Sequence, residues 1–364
     1  MAGKRSSRRS FINTVTVATG GFFGLQSFNS AVISSGKEKG DQRLSLKKLK
    51  QWEVMQYGMF IHFGMSTFTG DELDNGQSDA KRYAPDNPDP DQWMAVAKEA
   101  GMKYAVLTTK HVAGHCLWPS QHTDYTVATS GNTKDVVRAF VDACRKYGIK
   151  PGFYYCSWDN HHTFGSKTPS HVKWNNLMNS FPENAGEEAP YTSSMYQTFQ
   201  TAQVTELLTQ YGDLAEIWID IPGVLGRGYR TFLYHHIAGL QPNCVVMMNS
   251  GISTGEDYNV PYAWPSDLIA IERNLPQDGG HKKWREIEGK TYYIPGEVCD
   301  PIGKNWFFVE GDNPRSEEEL KNQYLSVTQR GANLLLNVPP NKKGVIPDVH
   351  VKALLNLKKN AGIK

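Results

Sequence analysis

From residue 57 onward the chain alternates short apolar runs with helix-length amphipathic stretches. The runs at 57–64, 104–111, 152–159, 215–221, 244–249, 267–272, 291–298 and 332–338 are rich in aromatic and β-branched residues and predict eight strands. Helix signals stand between them. Asp89 is an N-cap followed by Pro90 at the first helical position; Trp93, Val96, Ala97 and Ala100 then share one face, and Gly101 closes the helix. Residues 135–147 end at Gly148 in the same way. Ser316 and Glu319 form a capping box ahead of Leu320, Tyr324 and Val327, and a last helix is expected over 347–360. Strands that are apolar on both faces and linked by helices predict an α/β fold of the (β/α)8 barrel type. A doubly wound open sheet competes, but no Gly-x-Gly-x-x-Gly follows any strand. Stretches 250–266 and 273–290 hold Gly, Pro, Asp and Asn with no helical period, so the fifth and sixth helices are expected to be reduced or missing.

The domain organisation follows. Residues 51–364 make the barrel, residues 32–50 (Lys- and Ser-rich) read as a loose leader, and after the eighth unit nothing remains for a second domain. The first 31 residues read as an address. Arg8 and Arg9 in SRRSFI form a twin-arginine pattern, followed by a weakly apolar stretch to about Ala31 and then a polar handover. This predicts an exported protein, periplasmic or extracellular. The stretch is too broken by polar residues for a membrane span, and the later apolar runs are only strand-length.

Charge sharpens the picture. The 39 Lys+Arg oppose 37 Asp+Glu, but Lys4, Arg5, Arg8 and Arg9 sit in the first 31 residues without an acid, leaving 35 against 37. A body with no basic surplus is not built to neutralise phosphates, so nucleic-acid binding is excluded. The aromatic share, 11%, and hydrophobic share, 39%, suffice for a core and exclude disorder as the overall class. Five cysteines (116, 144, 156, 244 and 299) lack metal spacing and are expected as small buried hydrophobes without an obligatory disulfide.

In such a barrel, chemistry gathers at the C-terminal ends of the strands. Those ends carry His62, Lys110 and His111, the run YYCSWD at 154–159, Asp220, Glu272 and Glu297. By period two, Glu216, Trp218 and Asp220 share one strand face, as do Leu268, Ala270 and Glu272. A tryptophan beside an aspartate suits a sugar, because the ring covers C–H faces while the carboxylate meets the anomeric carbon. Two carboxylates at one mouth are the minimal kit for glycoside hydrolysis. Any one acid alone is more often a salt bridge or helix cap; their recurrence with aromatics at several strand ends is the stronger signal. His62 and His111 lie on different strands without a short His-x-x-x-His spacing, so neither a metal nor another cofactor is expected.

At these residues the sequence resembles the α-L-fucosidases of glycoside hydrolase family 29. The resemblance runs from about Trp52 to Gly344. YGMFIHFG at 57–64 is similar to the family's first-strand motif, and KHVAGHCLWPS at 110–120 to its Lys-His-His-Asp-Gly-Phe-x-Leu-Trp segment. GFYY at 152–155 matches the third strand. EIWID at 216–220 resembles the nucleophile strand, usually Trp-Phe-Asp-Gly, and ANLLLNVPPN at 332–341 the segment closing the barrel. The resemblance implies a retaining exo-fucosidase that acts on fucosylated oligosaccharides or glycoconjugates through a covalent fucosyl-enzyme. It makes Asp220 the nucleophile and Glu272 the acid/base, with Glu297 as rival. It places His62, Glu72, His111, Tyr155 and Trp218 where fucose hydroxyls and ring faces are held, and Trp306 where an aromatic shields the C5 methyl.

Three departures from the family pattern stand out. Val112 replaces the second histidine of the His-His pair, with His115 where Phe is usual; Ile221 replaces the glycine after the nucleophile; and residues 69–74 read TGDELD rather than containing Glu-Trp-Tyr. That loop and the VPPN ending resemble the branch acting on α-1,3/1,4-linked fucose. Many relatives also carry a C-terminal β-domain, which this chain is expected to lack. Val112 and Ile221 leave room for a fucose- or glycan-binding protein on a hydrolase scaffold, and an α-L-galactosidase is a further alternative, its sugar differing only at C6.

Overall fold

The structure is a computed structural model that describes residues 40–162 and 194–364; the expected export signal at 1–31 lies outside the described residues. The apolar runs are strands because both their faces are covered. In order they are β1 (Tyr57–Ile61), β2 (Tyr104–Lys110), β3 (Lys150–Cys156), β4 (Glu216–Asp220), β5 (Val245–Met248), β6 (Ile269–Glu272), β7 (Trp284–Ile287), β8 (Lys290–Tyr293), β9 (Gly296–Pro301) and β10 (Ala332–Asn337). Among the described residues, eight of them form one parallel sheet in the order β5-β4-β3-β2-β1-β10-β9-β6, while β7 and β8 pair with each other, antiparallel. Strands β1, β2, β5, β6 and β10 are buried at every residue, as a sheet covered inside and out requires.

The two ends of that strand order, β5 and β6, meet through the residues just before β6, by one backbone bond and two side-chain acceptors. Asp267 N–H donates to Val246 O (2.8 Å), Val246 N–H donates to Asp267 Oδ2 (2.9 Å), and Met248 N–H donates to Ser266 Oγ (3.0 Å). The sheet is thereby nearly closed, the (β/α)8 architecture that the strand pattern predicts.

The covering helices are α1 (Leu46–Glu53), α2 (Met65–Thr69), α3 (Pro90–Glu99), α4 (Val136–Tyr147), α5 (Ser194–Gln210), α6 (Arg227–Leu240), α7 (Val260–Ala263), α8 (Glu317–Gln329) and α9 (Asp348–Ala361). Their ends follow the local chemistry. Asp89 and Asp135 each accept a hydrogen bond from a backbone N–H of the first turn, Ser316 and Glu319 make the capping box, and Gly148 takes the left-handed conformation (φ 69°) that ends α4. The fifth helix is reduced to the single turn of α7, and the β7–β8 hairpin occupies the place of the sixth. Among the described residues, no helix is long and apolar enough to cross a membrane.

Two expectations need correction. The run 291–298 is not one strand: its first residues belong to β8 and its last to β9, with Ile294 and Pro295 between them. Proline cannot donate to a ladder, so the chain breaks there and restarts. Residues 40–50 of the expected loose leader are part of the barrel's base. Arg43 pairs with Asp267 at 2.5 Å and donates to Cys244 O at 2.7 Å, tying the β5–β6 seam; Leu49 and Trp52 of α1 are buried.

Candidate active site

At the C-terminal ends of the strands lies an open-mouthed pocket. Its lining includes Phe60, His62, His111, Tyr154, Trp218, Asp220, Asn249 and Glu272 from the strands and the residues just after them. Glu72, Leu73, Val112, Ile221 and Trp306 come from the loops.

Two carboxyl groups face each other across one amide. Asn249 Nδ2 donates to Asp220 Oδ1 (2.7 Å) and to Glu272 Oε2 (3.1 Å). Its own Oδ1 accepts from Gly251 N–H at 2.9 Å, which fixes the amide with its NH2 toward the acids. The two N–H bonds of an amide diverge by about 120°, so linear bonds of these lengths would put the two bridged oxygens roughly 5 Å apart. Tyr154 adds a phenol O–H to Asp220 Oδ2 at 2.6 Å.

Their environments push the two acids apart in proton affinity. Burial lifts the Asp220 carboxyl, but hydrogen bonds from Tyr154, Asn249 and the Ile221 N–H hold it back. Glu272 is pushed up to about 7 by burial and by the charge of Asp220, which outweigh the opposing pull of Asn249 and Arg273. Near neutrality the pocket therefore holds one carboxylate with three donors and one carboxyl poised to give up a proton. Glu72 is also raised by burial, against the attraction of Arg273.

The histidines are neutral. Asn337 Oδ1 lies 2.8 Å from His62 Nδ1 and also accepts the His62 backbone N–H (3.2 Å), so Nδ1 carries the proton and Nε2 is left as an acceptor. Asn337 Nδ2 donates to Trp306 O at 2.8 Å, so one residue of β10 sets both His62 and the Trp306 loop. Burial drives His62 well below its usual range and His111 down to about 3. The His111 ring stacks on Tyr154 (5.6 Å, 16°), and its buried Nδ1 has no hydrogen-bond partner among the described residues. Directly before it, Lys110 is fully buried and paired with Asp159 at 2.6 Å, locking the ends of β2 and β3 together. Arg273 follows Glu272 in a left-handed conformation (φ 52°), with its guanidinium 4.9 Å over the Trp306 ring.

Of the residues expected here, Asp220, Glu272, His62, Glu72, His111, Trp218 and Trp306 converge on the pocket. Tyr155 does not. It points to the other face of β3, where its phenol donates to Gln203 Oε1 (2.8 Å) and Lys110 Nζ sits 4.3 Å from its ring centroid. Tyr154 takes the pocket position because the register pairs it with Trp218. The rival acid Glu297 lies outside the pocket lining, fully buried, and accepts from Trp218 Nε1 at 2.7 Å. Asn249 and Arg273 carry no sequence signal for the site beyond standing near strand ends, and for Tyr154 the GFYY motif does not say which of its two tyrosines faces the pocket. Ile221 lines the pocket with φ 47° and ψ 46°, a strained conformation for a β-branched residue. Among the described residues, no group of three His, Cys, Asp or Glu side chains is arranged to hold a metal.

A sequence model described as alpha-L-fucosidase matches residues 75–360. Alpha-L-fucosidase 1 of Arabidopsis thaliana is 30% identical over 319 residues, covering 84% of this chain and 57% of that protein. Tissue alpha-L-fucosidase of Bos taurus is 30% identical over 355 residues, covering 86% and 67%. The chain thus spans little more than half the length of the plant protein. Among solved structures, alpha-L-fucosidase isoenzyme 1 from Paenibacillus thiaminolyticus superposes with a TM-score of 0.68 at 28% identity, over 86% of this chain and 75% of that one. A glycoside hydrolase 29 family member from an unknown rumen bacterium gives 0.68 at 26%, over 87% and 56%.

Proposed function

The chain belongs to the α-L-fucosidase family, glycoside hydrolase family 29, and on that premise we propose that it is a retaining exo-α-L-fucosidase releasing L-fucose from fucosylated glycans. The observation that supports this reading is the Asn249 bridge, which joins Asp220 and Glu272 through one amide at the pocket, an arrangement compatible with double displacement. Asp220 attacks C1 of the fucosyl unit as the C1–O bond to the aglycone breaks, and the Glu272 proton passes to the departing oxygen. Glu272, now a carboxylate, takes a proton from water; the water oxygen bonds C1, and Asp220 is freed. Trp218 and Trp306 supply apolar walls for the deoxy-sugar, the latter toward the C5 methyl. His62, Glu72 and His111 supply acceptors and donors for its hydroxyls. The tyrosine in this set is Tyr154, which orients the nucleophile.

The finer parts of the proposal are these. The TGDELD loop at 69–74 and the VPPN ending support α-1,3/1,4-linked fucose as the substrate. The twin-arginine pattern supports export to the periplasm or beyond the cell. The test is to incubate the protein with an aryl α-L-fucoside and with α-1,2-, α-1,3- and α-1,4-fucosylated oligosaccharides, following the first product by proton NMR. Free α-fucose appearing before its β-anomer is expected. The β-anomer first would overturn retention. Fucose binding without release would leave a glycan-binding protein on a hydrolase scaffold, and faster cleavage of α-L-galactosides would change the sugar.

A further inference from the structure

Below the pocket floor lies a second pair of carboxyl groups that the proposed reaction does not use. Glu216 opens β4 and Glu297 stands in β9, both fully buried. Glu297 Oε1 accepts from the Tyr104 phenol (2.5 Å), and its Oε2 accepts from the Trp218 indole N–H (2.7 Å). Glu216 Oε2 accepts from the Trp52 indole N–H at 2.9 Å. Its Oε1 is buried and makes no hydrogen bond among the described residues, yet the Glu297 carboxyl group and the Trp218 indole both lie close to the Glu216 carboxyl group. Two carboxylates would repel in so dry a place, so the contact holds only if one carries a proton. Both oxygens of Glu297 already take donors, which makes Glu297 the carboxylate and Glu216 the acid that donates to it.

This pair bears on the pocket through one residue. Trp218 is a pocket wall, packed against Phe60 (5.2 Å between ring centroids) and stacked on Tyr154 (6.4 Å, 24°), which in turn holds Asp220. Inside the barrel the backbone carbonyls are spent on the strand ladders, so an indole N–H pointing down needs a side-chain acceptor. A carboxylate serves two such donors at once, whereas a glutamine would present an N–H to one of them. We infer that Glu297, the acceptor of the Trp218 indole N–H, is a positioning residue: it fixes the tilt of that indole, and so the wall against which the sugar ring lies, without touching the sugar.

The inference rests on the proposed reading of the pocket, and the test separates the two. Glu297→Met keeps the length and bulk of the side chain but offers no acceptor. With an aryl α-L-fucoside, E297M is expected to raise KM about tenfold while kcat falls less, and E297Q, which keeps one acceptor, to raise KM by about threefold. On a Trp218→Phe background, which has no indole N–H to hold, neither change should raise KM further. Should E297M not fold, E297Q measured with and without W218F decides alone. An equal effect in both backgrounds, or a loss of melting temperature with KM unchanged, overturns the positioning role. A kcat collapse in E297Q rescued by azide would make Glu297 the acid/base and overturn it too. If the unaltered protein releases no fucose, it is the proposed function that fails.

Discussion

Strand β4 contributes one member to each of two carboxyl pairs, and the pairs behave differently. Asp220 and Glu272 stand at the strand ends with the Asn249 amide between them and the pocket beside them. Four residues down the same face of β4, Glu216 meets Glu297 directly, with Trp52, Tyr104 and Trp218 as donors. An amide donates to both acids and keeps them from sharing a proton directly, so the upper acids act on each other only through charge. Direct contact makes the lower acids share one proton. A carboxyl group's part in this barrel is therefore set by what bridges it and by whether a ligand reaches it, not by residue type or strand.

The sharpest way to break the comparison is to remove the nucleophile. Asp220→Gly is expected to lower kcat on the order of 10⁴-fold, with azide restoring part of the turnover as glycosyl azide. Near-native activity in that variant would move the chemistry elsewhere. Next in size is Glu272→Gln, for which release from oligosaccharides should fall roughly 10²- to 10⁴-fold, and less for an aryl fucoside that needs little protonation.

The pH profile carries the same information. Glu272 acts protonated and titrates at about 7, so kcat/KM should fall as pH rises through that value. Asp220 acts ionised and is raised by burial, so the acid limb should lie above the ordinary aspartate range. E272Q should lose the alkaline limb and keep the acid one; retention of both would show that another group supplies the proton.

Asn249→Ala tests what separates the pairs. Its hydrogen bonds lower the proton affinity of both upper acids, so their loss should move both limbs to higher pH and cost about tenfold in kcat/KM. Unmoved limbs would mean that the amide is not the bridge.

The smallest effect is expected from Glu216→Gln, which mimics a protonated glutamate and should change stability by about 1 kcal/mol or less near pH 5. Burial and the charge of Glu297 raise the Glu216 carboxyl well above its usual range, so the folded protein keeps a proton that the unfolded chain releases. Stability therefore declines as pH climbs above the ordinary glutamate range, and E216Q should flatten that decline in thermal melts taken across pH. An unchanged slope would mean that Glu216 is not the proton holder.

Much of this was legible in the chain. The strand runs, the caps at Asp89, Asp135 and Ser316, and the shared face of Glu216, Trp218 and Asp220 are local patterns with periods of 3.6 and 2. They survive folding because backbone geometry imposes those periods wherever the chain goes. The reduction of the fifth and sixth helices was legible too, as an absence of helical period. Pro295 marked the break between β8 and β9, although the apolar residues on either side masked it.

Tertiary structure decided the rest. Alternation shows that Tyr154 and Tyr155 face opposite ways, but only the register of β3 on β4 says which one meets Asp220. Glu272 and Glu297 are both glutamates on barrel strands; depth made one a pocket acid and the other part of the floor. Asn249 has no motif at all, and its meaning lies in the convergence of β4, β5 and β6 on one amide. Periodicity is a property of neighbours along the chain and is written in the sequence. Proton affinity and reach depend on groups far apart in the chain and brought within about 3 Å of one another, and those distances exist only once the barrel has closed.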